Sequence, residues 1–144
     1  MEIKYSLKSL VEDKYYFNYD YNYAEMKEED LRFSIGQSIS PNMEKEEIEI
    51  GAVASLVDSA ETRLVENSVR LTFTLAPIQG VISQESGKIS TKEPIVLDTF
   101  LITAFGALRG IMFKNLKGTP LDGIVLPLIP TEYFKEKKTT TRQK

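Results

Sequence analysis

From Ile3 to Leu75 the chain repeatedly alternates apolar and polar positions. Ile3, Tyr5 and Leu7 alternate with Lys4, Ser6 and Lys8, the period of two expected for a strand with one buried face. The phase slips at Leu10-Val11, and an aromatic run, Tyr15-Tyr16-Phe17, leads into Asn18-Tyr19-Asp20-Tyr21-Asn22-Tyr23. Aromatics favour strands and Asn/Asp favour turns, so residues 3–11 and 14–19 are expected to be extended, with a surface loop through Glu28-Glu29-Asp30. Leu31, Phe33, Ile35 and Ile39 mark a second strand, closed by the turn signal Pro41-Asn42. The clearest alternation follows: Ile48, Ile50, Ala52, Ala54 and Leu56 against Glu47, Glu49, Gly51, Val53 and Ser55. Ser59 to Asn67 reads as polar and turn-like. Val69, Leu71, Phe73 and Leu75 then open a further strand, which must bend at Pro77 for want of an N–H. Short polar links between such strands predict an antiparallel meander.

The period changes in the last third. Between Ile95 and Leu116 the apolar positions Leu97, Phe100, Leu101, Ala104, Phe105, Leu108, Ile111, Met112 and Leu116 form a broad helical stripe. Ser90-Thr91 offers a cap, Pro94 suits a first turn, and Gly118 with Pro120 ends the helix. The stripe covers more of the helix than one small sheet needs. Phe100, Ala104, Phe105, Leu108 and Met112 are therefore expected at an interface between subunits. Asp98 and Arg109 lie about three turns apart and are read as the helix's polar side. Ile124-Val125-Leu126-Pro127-Leu128-Ile129-Pro130 is a short, extended apolar segment. Residues 1–134 are expected to form a single domain, and the basic stretch 135–144 a disordered tail.

Composition narrows the chemistry. The 144 residues include no cysteine and no histidine, which removes disulfides, thiolate metal sites and any Ser-His-Asp triad. A net charge of −3 gives no basic footprint for nucleic acid. Ile95 to Phe113 is long enough to span a bilayer, but Asp98 and Arg109 would each cost roughly 2.5–3.5 kcal/mol near its centre; a buried helix is the better reading, without membrane insertion. Charges interrupt every apolar run near the N-terminus, so no signal peptide is read and the cytoplasm is the expected location. The acidic run Glu44, Glu46, Glu47 and Glu49 could attract Mg²⁺ or Ca²⁺, but it lacks a calcium-loop pattern and reads as a solvated strand start. Gly106 to Gly110 lacks the spacing of a phosphate-binding loop. The tyrosines at 15, 16, 19, 21 and 23 have acidic neighbours, unlike a base-stacking groove, and are expected to pack at the sheet edge. No cofactor and no catalytic residue is expected: the chain reads as a binding protein.

The order of elements and the C-terminal third resemble the SecB family of export chaperones. The similarity is carried by Leu7-Lys8-Ser9-Leu10-Val11-Glu12-Asp13-Lys14-Tyr15-Tyr16-Phe17-Asn18, by Ala107-Leu108-Arg109-Gly110 with Gly118-Thr119-Pro120, and by Val125-Leu126-Pro127-Leu128-Ile129-Pro130 leading into Tyr133-Phe134. It implies an α+β fold: a four-stranded antiparallel meander sheet, one long helix packed on it and a short C-terminal segment. It also implies a homo-oligomer, dimer or tetramer, that holds unfolded polypeptide clients in apolar grooves and passes them to a translocase motor. Leu121, Ile124, Val125, Leu126, Leu128 and Ile129 become candidate groove residues. Two features depart from the family's export members: the tail is basic, and the helix after the Leu-Pro segment is truncated. Relatives that guard toxin–antitoxin pairs therefore stand beside the exporters. The contrasting expectation is an assembly subunit whose apolar helix serves only self-association.

Overall fold

A computed structural model describes residues 2–130, 132 and 133; Phe134 and the expected tail 135–144 lie outside the described residues. The alternating stretches form four strands: β1 (Lys4–Phe17), β2 (Arg32–Asn42), β3 (Glu47–Val57) and β4 (Arg63–Ala76). They make one antiparallel sheet in the order β1-β4-β3-β2. Successive rows of one face are apolar. Ile39 pairs with Ile50, Ile50 with Leu71, and Leu71 with Leu10. The other face is a lattice of charges: Lys8 bridges Glu47, Arg70 reaches Asp13 at 3.2 Å, and Lys14 meets Glu66 at 3.1 Å. A period of two has sorted each strand into a core side and a solvated side.

Three details differ from expectation, each for a local reason. The two expected N-terminal segments are one strand, whose phase slips are bulges between Leu7 and Ser9 and between Glu12 and Lys14. Only β2, β3 and β4 form the meander. The long connection 18–31 carries the chain past it, so β1 joins at β4, a Greek-key order. Strand β4 also begins six residues before the expected Val69, at Arg63. Its polar start is masked in the sequence because Arg63 and Glu66 face outward in an ion pair at 2.5 Å. Asn67, fully buried, is satisfied on the inner face. Its amide donates to Glu12 Oε2 (3.0 Å) and to the Lys14 carbonyl (2.7 Å).

A small hairpin, β5 (Ile82–Glu85) and β6 (Lys88–Thr91), precedes the helix and turns through Ser86 and Gly87, both at positive φ. Ser90-Thr91 consequently ends a strand instead of capping the helix. The Thr91 hydroxyl donates to the Val81 carbonyl (2.9 Å) and accepts from the Glu93 N–H (3.0 Å). Helix α1 (Pro94–Asn115) lies over β3 and β4. Phe100 stacks on Phe73 with ring centres 4.0 Å apart and meets Tyr5 edge-on at 5.4 Å. At the other end the Asn115 amide donates to Glu12 Oε2 (2.7 Å) and to Asn67 Oδ1 (2.8 Å), while the Tyr15 hydroxyl donates to the Asn115 carbonyl (3.2 Å).

The helix residues expected between subunits are elsewhere. Phe100, Ala104 and Leu108 are 0 % exposed, and Phe105 and Met112 1 %; they belong to the chain's own core. The broad stripe is explained without a second copy, because residues after the helix close over its second flank: Leu116, Leu121 and Leu126 join the same cluster. By length and composition α1 would suffice to cross a bilayer, yet its apolar stripe is packed on this sheet.

Candidate functional site

The helix ends at Asn115, and two tight turns redirect the chain. Gly118 and Gly123 sit at φ +80° and +91°, a backbone that side chains with a Cβ resist. The Asp122 carboxylate accepts the Gly118 N–H (3.1 Å), and the Thr119 hydroxyl donates to the Leu116 carbonyl (2.7 Å). Leu121 plugs the core between the turns. The segment 124–130, neither helix nor strand, then runs between the β2 side of the sheet and α1.

Arg109 holds this segment. Its Nε donates to the Leu126 carbonyl (2.7 Å) and its guanidinium NH2 group to the Pro127 carbonyl (2.9 Å). The residue read from sequence as part of the helix's polar side therefore clasps the segment. Leu126 is buried, whereas Val125 is 50 % and Leu128 84 % exposed. Between Val125 and Ile129, among the described residues, no backbone N–H donates to another backbone carbonyl. Leu126, the partly buried Ile124 and Ile129, and Arg109 hold the segment.

On each flank of the segment lies an apolar pocket. The first, about 320 Å³, is lined by Leu31, Phe33, Leu56, Gly123, Ile124 and Val125, with Glu28 at its rim. The second, about 190 Å³, is lined by Ile102, Phe105, Arg109, Leu128 and Ile129. Of the six residues proposed from sequence, Ile124, Val125, Leu128 and Ile129 line these pockets, while Leu121 and Leu126 are core. The opposing walls were missed. Leu31 and Phe33 look like ordinary strand positions, and only the order of strands, which puts β2 at an edge, distinguishes them. Among the described residues β2 pairs with β3 alone, and the Tyr133 hydroxyl reaches its Ile35 carbonyl at 3.3 Å.

The connection that carries Glu28 and Leu31 is anchored by Tyr21 and Tyr23, which pack as expected, whereas Tyr19 is 81 % exposed and Tyr15 and Tyr16 are exposed as well. Tyr23 stacks on Phe17 (5.5 Å) and donates to the Asn18 carbonyl (2.6 Å); Tyr21 donates to Asp58 Oδ2 (2.8 Å). Burial pushes the Tyr23 phenol up to about 12. The hydrogen bond to Asp58 raises that of Tyr21. The backbone N–H of Thr62, then the Tyr21 hydroxyl, hold the Asp58 carboxyl below its usual range. The acidic run does not converge: Glu47 faces Lys8, Glu49 faces Arg70, and Glu46 accepts the Ile78 N–H. Among the described residues no group of three or more carboxylates is placed to hold a metal ion.

A separate apolar stripe runs along the core-facing side of β1. Tyr5, Leu7, Leu10 and Tyr15 there are each between 38 and 47 % exposed, on a strand whose outer edge has no partner among the described residues; Val11 and Tyr16, also exposed, lie on the opposite face beside Arg70 and Glu66.

Neither a family model nor a curated protein matches the sequence. Among solved structures, the fold is similar to that of the SecB-like chaperone Rv1957 of Mycobacterium tuberculosis, determined in complex with a ChAD peptide from the Rv1956 HigA1 antitoxin. The TM-score is 0.60, over 88 % of each chain and at 8 % identity. At that identity the likeness is one of fold: a four-stranded antiparallel sheet with one long helix packed on it, as in a SecB-like chaperone.

Proposed function

We propose that the protein is a SecB-like holdase that binds unfolded or extended polypeptides in the groove between β2 and segment 124–130, without catalysis. The observation that carries this reading is the pair of apolar pockets flanking a segment that leaves Val125 and Leu128 half to mostly exposed. An extended client fits such a place physically. Its backbone can pair along the open β2 edge, and side chains on one side can fill the apolar pockets. The peptide bound to Rv1957 supports the same use of this fold.

Self-association is proposed at β1, because the helix residues first assigned to it are buried. An assembly role resting on the apolar helix alone would have chiefly Ile95 and Ile102 to offer as exposed apolar side chains. A dimer or tetramer formed through β1 would leave the groove on the opposite edge of the sheet open to clients.

The test is light scattering after size exclusion, with and without a permanently unfolded, reduced and alkylated test protein. Co-elution and suppressed aggregation are expected, both reduced by Leu128→Asp. A defined oligomer that ignores unfolded chains would remove the holdase reading.

A further inference from the structure

Gln37 stands in the middle of β2, paired with Ala52. Strand alternation puts it on the inner face with Ile35 and Ile39, among core side chains. Both polar atoms of its amide are shut off from solvent and have no hydrogen-bond partner among the described residues. Buried amides are nearly always paired, and an unpaired one lowers stability. An apolar residue of the same size would serve a core position better.

Its surroundings suggest what the amide does. Helix α1 lies over β3 and β4, so the β2 side of this face is left to the residues that follow the helix. Ile124 and Val125 share a pocket with Phe33, and the Tyr133 hydroxyl bonds Ile35, the residue before Gln37 on that face. That stretch is weakly held, with no backbone pairing from Val125 to Ile129 and two Arg109 bonds at its centre. Weakly bonded, half-exposed segments open first.

We propose that a client entering the groove between β2 and segment 124–130 eases that segment outward, and that the Gln37 amide then pairs with the client's backbone. A carboxamide offers one donor and one acceptor side by side, the complement of a peptide unit. It would therefore hold any extended sequence, as a chaperone of varied clients requires. This inference rests on the holdase reading and adds a backbone-reading residue to it.

The experiment compares wild type with Gln37→Met, which keeps side-chain volume and removes the amide. Urea midpoints are measured alongside affinities for two reduced, alkylated test proteins of unrelated sequence. The expected result is a higher urea midpoint together with roughly tenfold weaker binding, of similar size for both clients. Unchanged affinity overturns the inference and leaves the groove standing. A lowered midpoint also overturns it, since the amide was then satisfied in the free protein. If wild type binds neither client, the holdase reading itself falls, and this inference with it.

Discussion

Arg109→Ala removes the clasp on segment 124–130 and nothing else of comparable strength. Two hydrogen bonds from a charged donor are lost, at 2.7 and 2.9 Å. Bonds of that type contribute about 1.5–3 kcal/mol each. Because Arg109 is only partly buried, water recovers some of this, and about 2–3 kcal/mol for the pair is reasonable. The chain has no cysteine, so Leu126→Cys provides a single thiol at a position 2 % exposed. Its labelling rate by a disulfide reagent reports how often the segment lifts. A loss of 2–3 kcal/mol should raise that rate roughly 30- to 150-fold, and Arg109→Lys, with one point-like donor group, should fall between. If clients bind the lifted state, their apparent affinity should tighten by up to the same factor, because less of the binding energy is used to open the groove. Labelling that does not change on Arg109→Ala would refute the clasp. Faster labelling with weaker client binding would show that the segment is a fixed wall and not a displaceable one.

Four other outcomes follow from the structure. Phe100→Ala should destabilise the protein by about 3–5 kcal/mol in urea titrations, since the ring is fully buried between Phe73 and Tyr5, whereas Ile102→Ala, at a position 51 % exposed, should cost under about 1 kcal/mol. The burial-raised Tyr23, with Tyr21 and Tyr15 also raised, binds protons more tightly folded than unfolded. Their contribution is therefore intact below the unfolded value of about 10 and lost as pH rises through each raised folded value, about 12 for Tyr23, which absorbance titration of tyrosine beside circular dichroism should show. Asp58 and Glu66 shift the other way. Burial alone would raise Glu66, but Lys14, Ser55 and Arg63 outweigh it. Their stabilisation holds above the ordinary carboxylate value of about 4 and is lost as pH falls below it, so urea midpoints should drop there, and less in Glu66→Gln. Finally, Leu10→Lys in the β1 stripe should lower the mass measured by light scattering while leaving the far-ultraviolet spectrum unchanged; an unaltered mass would clear β1 of the interface.

Sheet and helix were legible because their residues obey simple periods. Ile48 to Leu56 reads as a strand in isolation, and Phe100 to Met112 as a helix. What remained hidden depended on partners distant in sequence. Asn67 looks like a turn residue until Glu12 and Asn115 are seen beside it. The helix stripe reads as too wide for one chain because the residues that cover its second flank, Leu121 and Leu126, come after the helix in a segment with no period. The candidate site divides for the same reason: exposed and buried members of an irregular segment cannot be told apart without a period to sort them. Leu31 and Phe33 gain their significance only from the strand order.

That order also bears on the binding place proposed at the β2 side. An unpaired edge beside an extended apolar segment is ordinarily filled by that segment, which pairs as a further strand. Here the segment carries Pro127 and Pro130, which lack the N–H a ladder needs. The Leu126 and Pro127 carbonyls are bonded to Arg109 instead. The segment can thus shield the β2 side without joining its hydrogen-bond ladder. A shield of this kind is removable by a competitor that brings a full set of backbone donors, and an unfolded polypeptide is such a competitor. Replacing Pro127 with valine should therefore work against function. It would restore a backbone N–H to the segment, free the segment to pair with its own sheet, and weaken client binding while raising the urea midpoint. A variant that binds clients as well as wild type would show that the prolines serve only the turn.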